Sequence, residues 1–198
     1  MPSKADNTKQ MIVEKAAPLF NTKGYAGTSM RDILAATGLT KGGVYGNFPG
    51  KDEIAAAAFA HSYGKLRAAL LRAVASQATA QGRLVAVLKF YRNYTVQPVV
   101  AGGCPVMNAA VETDDAYPVL HRQVRAALAE LLAGLSRLFA QGITEEALRP
   151  DLNPDQEAEY FYAQIQGGIL LSQTSGDPRV LNRLLDRLRD YLERQLVR

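Results

Sequence analysis

Apolar residues recurring three and four apart dominate this chain, and that period suits helices and little else. Val124, Leu128, Leu131, Leu132, Leu135 and Leu138 form one such stripe, and Leu181, Leu184, Leu185, Leu188 and Leu192 form another. Ile12, Val13, Ala16, Leu19 and Phe20 place a third over residues 8–22. No stretch alternates apolar and polar residues with the two-residue period of a strand, and no repeat of roughly 20–50 residues is present. The expected fold class is all-α, with about nine helices.

Turn and cap residues divide the stripes into elements. Gly24 ends the first helix, and Pro18 inside it predicts a kink. Thr28-Ser29-Met30-Arg31-Asp32 reads as a capping box opening a short helix, Met30 to Ala36. Thr37-Gly38-Leu39 closes it. Thr40 is then a second N-cap, ahead of a helix of under two turns from Lys41 to Gly46, and Asn47-Phe48-Pro49-Gly50 breaks the chain again. Further helices are expected from Ile54 to about Ala78, from Leu84 to about Gln97, from Val106 to Val111 and from Pro118 to roughly Gln141. Asn153-Pro154 and Asp177-Pro178 cap the last two.

Charge is unevenly spread. The net charge is +4, and all of the excess lies in residues 1–51, while the remainder balances. That asymmetry is expected where one end alone meets a polyanion. A single cysteine, Cys104, excludes an intramolecular disulfide or a multi-thiolate site, and two histidines leave little to build a metal centre from, so no cofactor is expected. No apolar run approaches the roughly 18 residues of a membrane span, and the segment from Met1 to Asn7 carries no hydrophobic stretch. The expectation is a soluble cytoplasmic protein with no membrane partner.

Two short helices joined by a turn centred on Gly38 form a helix-turn-helix. Ile33 and Leu34 pack the first helix, and Leu39 and Val44 anchor the second. Thr40, Lys41, Gly43 and Tyr45 are left on a polar or small face suited to a major groove.

Across Gln10 to Phe59 the chain resembles the TetR family of transcriptional regulators. The matching residues are Ala16, Ala17, Leu19 and Phe20, then Lys23-Gly24-Tyr25, Thr28 to Ile33, Gly38 to Tyr45 and Asn47 to Lys51. Leu34, Gly46 and Asn47 depart from the residues common in that family, and Pro18 is unusual in its first helix. The resemblance implies a DNA-binding head over residues 1–50 and a helical effector-binding and dimerisation domain over 51–198. It also implies a homodimer on a palindromic double-stranded operator, with repression relieved by a small-molecule effector.

Residue roles follow. Thr40, Tyr45 and Lys51 are expected on phosphates, which set register. Arg31 is expected on a phosphate or a base edge, and Lys41 on guanine O6 and N7. Gly42 and Gly43 allow close approach, and Ser29 and Asn47 complete the DNA-binding set. The effector set is Phe90, Tyr91, Tyr94, Cys104, Met107, Asn108, Tyr117 and His121, each of which also reads as an ordinary core or surface residue. Cys104, ahead of a short helix, leaves open an electrophile- or redox-sensing regulator of the same fold. For the dimer, Phe161, Ile165, Gly168, Ile169, Leu181, Leu184 and Leu188 are expected at the interface, unless these stripes close the monomer's own core. The glycines and lysines between Gly42 and Lys51 do not make a phosphate loop, because position 45 is Tyr and position 52 is Asp. No nucleophile elbow is present either. An enzyme is not expected, and the alternative from another class is an all-α interaction module without DNA binding.

Overall fold

The structure, a computed structural model, describes residues 4–113 and 117–198; residues 1–3, part of the N-terminal segment considered above, and residues 114–116 lie outside that description. Among the described residues there are nine α-helices: α1 (Lys4–Gly27), α2 (Met30–Thr37), α3 (Lys41–Tyr45), α4 (Lys51–Ala75), α5 (Ala80–Tyr91), α6 (Pro105–Ala110), α7 (Pro118–Thr144), α8 (Pro154–Ser175) and α9 (Arg179–Tyr191). A π-helical turn, Leu192–Leu196, continues α9. The sole strand-like feature among these residues is an isolated antiparallel bridge between Leu148 and Val197.

Local chemistry explains most boundaries. The Thr79 hydroxyl accepts the Gly82 N–H and opens α5, and Asn153 accepts the Asp155 and Gln156 N–H groups with Pro154 in the first turn of α8. Gly176 closes α8 in the left-handed region, at φ 67°. Two expectations are corrected. Helix α1 runs through Pro18 with helical dihedrals and breaks only at Gly24, at φ 77° and ψ 172°. Pro18 and Glu14, whose carbonyl the proline leaves without its helical partner, are both exposed, so water can take up that acceptor. Helix α5 stops at Tyr91, short of Gln97, because Arg92 is extended and Asn93 adopts φ 71°. Asparagine is among the few residues that tolerate that conformation, and the chain turns there.

The chain divides into two compact units, one of Met1–Leu66 with Val100–Ala127 and one of Arg67–Val99 with Leu128–Arg198. This division by packing does not coincide with residue 51, the boundary expected from roles. The first unit is built on Ile12, Val13, Ala16, Ile33, Val44, Phe48 and Ile54, all buried, with Leu19, Phe20, Met30, Leu34 and Leu39 packed around them. The second holds the buried residues Leu84, Leu88, Leu131, Leu135, Phe139, Phe161, Ile165 and Ile169. Helices α8 and α9 lie against each other so closely at Gly168 that a Cβ there would come within 2.9 Å of the Leu181 side chain. The C-terminus is tied down by the Arg149 N–H to Leu196 and the Arg198 N–H to Ala147.

Helix α7 has the length and apolar composition of a membrane span. Its stripe of Val124, Ala127, Leu131, Leu135 and Phe139 is buried, while Arg122, Arg125, Glu130 and Arg137 are exposed, which is the pattern of an amphipathic core helix.

Candidate nucleic-acid interface

The capping box expected at residues 28–32 is present. The Ser29 hydroxyl accepts the Asp32 N–H, and the Asp32 carboxylate accepts the Ser29 N–H at 2.9 Å and its hydroxyl at 2.5 Å. Lys23 closes on the same carboxylate at 2.9 Å. The Ser29 hydroxyl first, then the Lys23 ammonium, hold the Asp32 carboxyl well below the usual carboxylate range. Gly38 turns the chain at φ 68° and donates its N–H to the Leu34 carbonyl, so α2 ends cleanly and α3 can start at a new angle. Thr40 N-caps α3 by accepting the Gly43 N–H at 3.2 Å, which leaves its own O–H proton for an outside acceptor.

Helix α3 is anchored by one side chain, Val44, which is fully buried. The opposite face is open. Thr40, Lys41, Gly42 and Tyr45 are exposed, Tyr45 by 42%, and the Lys41 ammonium lies 5.8 Å from the Tyr45 ring centroid. Arg31 is exposed on α2, and Ser29 is exposed although its polar groups serve the cap. Gly43 is half-buried, with the Leu39 side chain and the Thr40 hydroxyl 3.5 Å from where a Cβ would stand. Asn47 donates its amide to the Gly43 carbonyl at 2.8 Å and closes the C-terminal end of α3.

Lys51 departs from expectation. Its ammonium donates to the Tyr25 carbonyl at 2.9 Å and the Thr28 carbonyl at 3.1 Å, and it covers the Tyr25 ring at 4.0 Å. It therefore ties the start of α4 to the α1–α2 connection, with one N–H remaining for any phosphate. Tyr25 is the hub. Its hydroxyl donates to Asp52, its N–H donates to the Glu112 carboxylate, and its ring lies 4.0 Å from that of Tyr117. Burial first, and then the Asp52 carboxylate, push the Tyr25 phenol far above its ordinary range. Sequence reasoning missed Asp52 and Glu112, whose partners lie 27 and 87 residues away; Gly24 was the one local sign of a close approach.

The expected effector residues divide between the units. Phe90, Tyr91 and Tyr94 form an aromatic cluster in the second unit, with ring centroids 4.9–5.9 Å apart. Cys104, Met107, Asn108, Tyr117 and His121 belong to the first. There, a cavity of about 30 Å³ is walled by residues including Phe20, Tyr25, Phe59, Asn108, Glu112 and Leu120. That is water-sized, below the roughly 300–1,000 Å³ of ligand pockets, and Asn108 alone of the eight lines it. The Asn108 amide is engaged with the Asn21 and Gly102 carbonyls, and the His121 Nδ1 lies against the Thr113 carbonyl, so His121 is not a free surface histidine. Cys104 is buried at the start of α6. Sequence reasoning also missed Gln166 on α8, which is buried with neither amide atom partnered.

Of the residues expected to join two copies, Phe161, Ile165, Gly168, Ile169, Leu181 and Leu188 are buried within the chain, and only Leu184 keeps partial exposure. A side chain already out of water has little surface left for a partner. The large apolar residues that α8 leaves exposed are Tyr160, Leu170 and Leu171.

Two segments of the chain match families of known proteins. Residues 12–58 match the family described as bacterial regulatory proteins, tetR family, and residues 80–188 match the tetracyclin repressor-like C-terminal domain. A TetR transcriptional regulator from Chloroflexus aurantiacus is similar in structure with a TM-score of 0.94 and 34% identity, covering 98% of both chains. A TetR-family regulator from Cytophaga hutchinsonii has a TM-score of 0.90 and 31% identity over 98% of this chain and 96% of that one. The HTH-type transcriptional repressor DhaR of Mycobacterium sp. is 24% identical over 89% of this chain and 88% of its own length.

Proposed function

The chain belongs to the TetR family of helix-turn-helix transcriptional regulators, and from that premise we propose a repressor that grips a palindromic operator as a homodimer and is released by a small molecule. The observation that carries this is α3 itself: Val44 is buried, and Thr40, Lys41 and Tyr45 face solvent from a helix short enough to enter a major groove. Residues 1–50 are the reading head, with Lys41 on a base edge and Arg31, Thr40 and Tyr45 on phosphate or base. Residues 51–198 serve effector binding and dimerisation.

Dimerisation is assigned to the outward face of α8 and α9, where Leu170 and Leu171 are exposed and Tyr160, also exposed, lines a groove of about 480 Å³ together with residues including Leu184, Arg187 and Tyr191. Effector recognition is assigned to the second unit, where the Phe90, Tyr91 and Tyr94 rings supply apolar area and Gln166 supplies a buried amide without a partner. A largely apolar molecule with one group able to pair with an amide suits that combination. Burial of Cys104 favours a packing role over a sensing one.

Selection of bound duplexes from a random DNA pool tests the reading directly. An inverted repeat with half-sites about one helical turn apart is the expected product. Recovery of no preferred sequence would overturn it.

A further inference from the structure

We propose that the Glu112 carboxylate is a positioning residue for DNA binding, an inference that rests on the regulator function above. Glu112 lies just beyond α6 and accepts the Tyr25 N–H at 2.5 Å, from 87 residues further along the chain. It reaches that N–H by lying against Gly24, where α1 breaks at φ 77°, and a Cβ on Gly24 would collide with the carboxylate itself. One helical turn earlier, the same segment holds α1 a second time. The Asn21 amide donates to the Ala101 carbonyl at 2.6 Å and the Gly103 carbonyl at 3.1 Å, and the Asn108 amide donates to the Asn21 carbonyl at 3.0 Å. There too the approach is close: a Cβ on Gly102, at φ 93°, would stand 2.5 Å from the Asn21 carbonyl oxygen.

Two attachments a turn apart restrain both sliding and rotation of the end of α1, where one would leave a pivot. The acceptor matters because Tyr25 is 8% exposed, so its N–H has no ready water, and a buried donor left without a partner is costly. Glu112 also acts on the residue from which α4 is hung. The Tyr25 carbonyl receives the Lys51 ammonium, and the Tyr25 hydroxyl donates to Asp52. The Lys51 ammonium also reaches Thr28, directly before the Ser29 cap of α2. Glu112 thus sets the place of the junction from which the reading helices are presented.

The test compares the full chain with Glu112→Ala and Glu112→Gln. Affinity is measured for a duplex that the wild-type protein selects from a random pool and for an unrelated duplex at low salt, alongside thermal unfolding. Glu112→Ala is expected to weaken the selected duplex about tenfold while leaving the unrelated duplex near wild type, and to lower the unfolding midpoint by a few degrees because the buried Tyr25 N–H loses its acceptor. Glu112→Gln, which keeps an oxygen acceptor, is expected to recover most of the loss. Wild-type affinity in Glu112→Ala, or an equal fall in affinity for both duplexes, would overturn the proposal. Should Glu112→Ala fail to fold, Glu112→Asp, one methylene short of the N–H, replaces it in the comparison, and unfolding of both would overturn the positioning role. If the wild-type chain selects no duplex at all, the regulator reading falls and this inference with it; if it selects one and the variants match it, only the role of Glu112 falls.

Discussion

Lys51 and Lys41 both belong to the basic stretch of residues 1–51, yet their surroundings give them different work. Lys51 donates to two carbonyls and covers a tyrosine ring, so Lys51→Met is expected to destabilise the fold by about 1–3 kcal/mol in chemical denaturation. Weaker DNA binding would then follow from a loosened head as well as from lost charge. Lys41 is exposed, with its ammonium 5.8 Å from the Tyr45 ring centroid. Lys41→Ala is expected to leave stability within about 0.5 kcal/mol, to weaken the selected duplex by about 1–3 kcal/mol and to relax preference at one base position. Competition binding with single-base variants of the duplex measures both effects. The sequence offers no way to tell these two lysines apart, because the Tyr25 and Thr28 carbonyls that engage Lys51 stand 26 and 23 residues upstream.

Helices α2 and α3 show the opposite case, elements whose form is written locally. A capping box needs only Ser29 and Asp32, and a left-handed turn needs only Gly38, where a Cβ would meet nothing within 4 Å and the conformation alone demands glycine. Ser29→Ala is expected to cost about 1 kcal/mol at neutral pH. The pH dependence has a definite sign. A carboxyl held low in the folded state contributes stability above its unfolded pKa, about 4, and loses it as pH falls toward the folded value. Ser29→Ala removes the largest cause of that depression, so the gap between wild type and variant is expected to close as pH drops below about 4; urea titrations at neutral and acid pH check it. Elsewhere local signals misjudged extent. Stripe residues Tyr91 and Val96 suggested one helix to Gln97, but side-chain period does not register that Asn93 can take a positive φ and end it.

For the molecule as a whole, assembly depends on which apolar faces meet and which stay in water. Leu171 is 55% exposed on α8, and Leu171→Arg is expected to shift light scattering toward the monomer and to weaken the palindromic duplex more than a single half-site. An unchanged dimer would place the interface elsewhere. Helical period by itself put Phe161, Ile165 and Leu181 on such an interface, and packing puts them inside the chain, because period marks a face as apolar without saying what covers it. What the amino-acid sequence determined unaided is the all-helical class, the caps of α2 and α3, the outward face of α3 and the basic bias of the head, since each depends on residues within a few positions of one another or on composition. What only the tertiary structure decided is that Lys51 serves as a tether, that Glu112 meets Tyr25, that Gln166 is buried without a partner and that the second apolar stripe closes a core. Those depend on contacts between residues distant along the chain, and such contacts exist only once packing has chosen them.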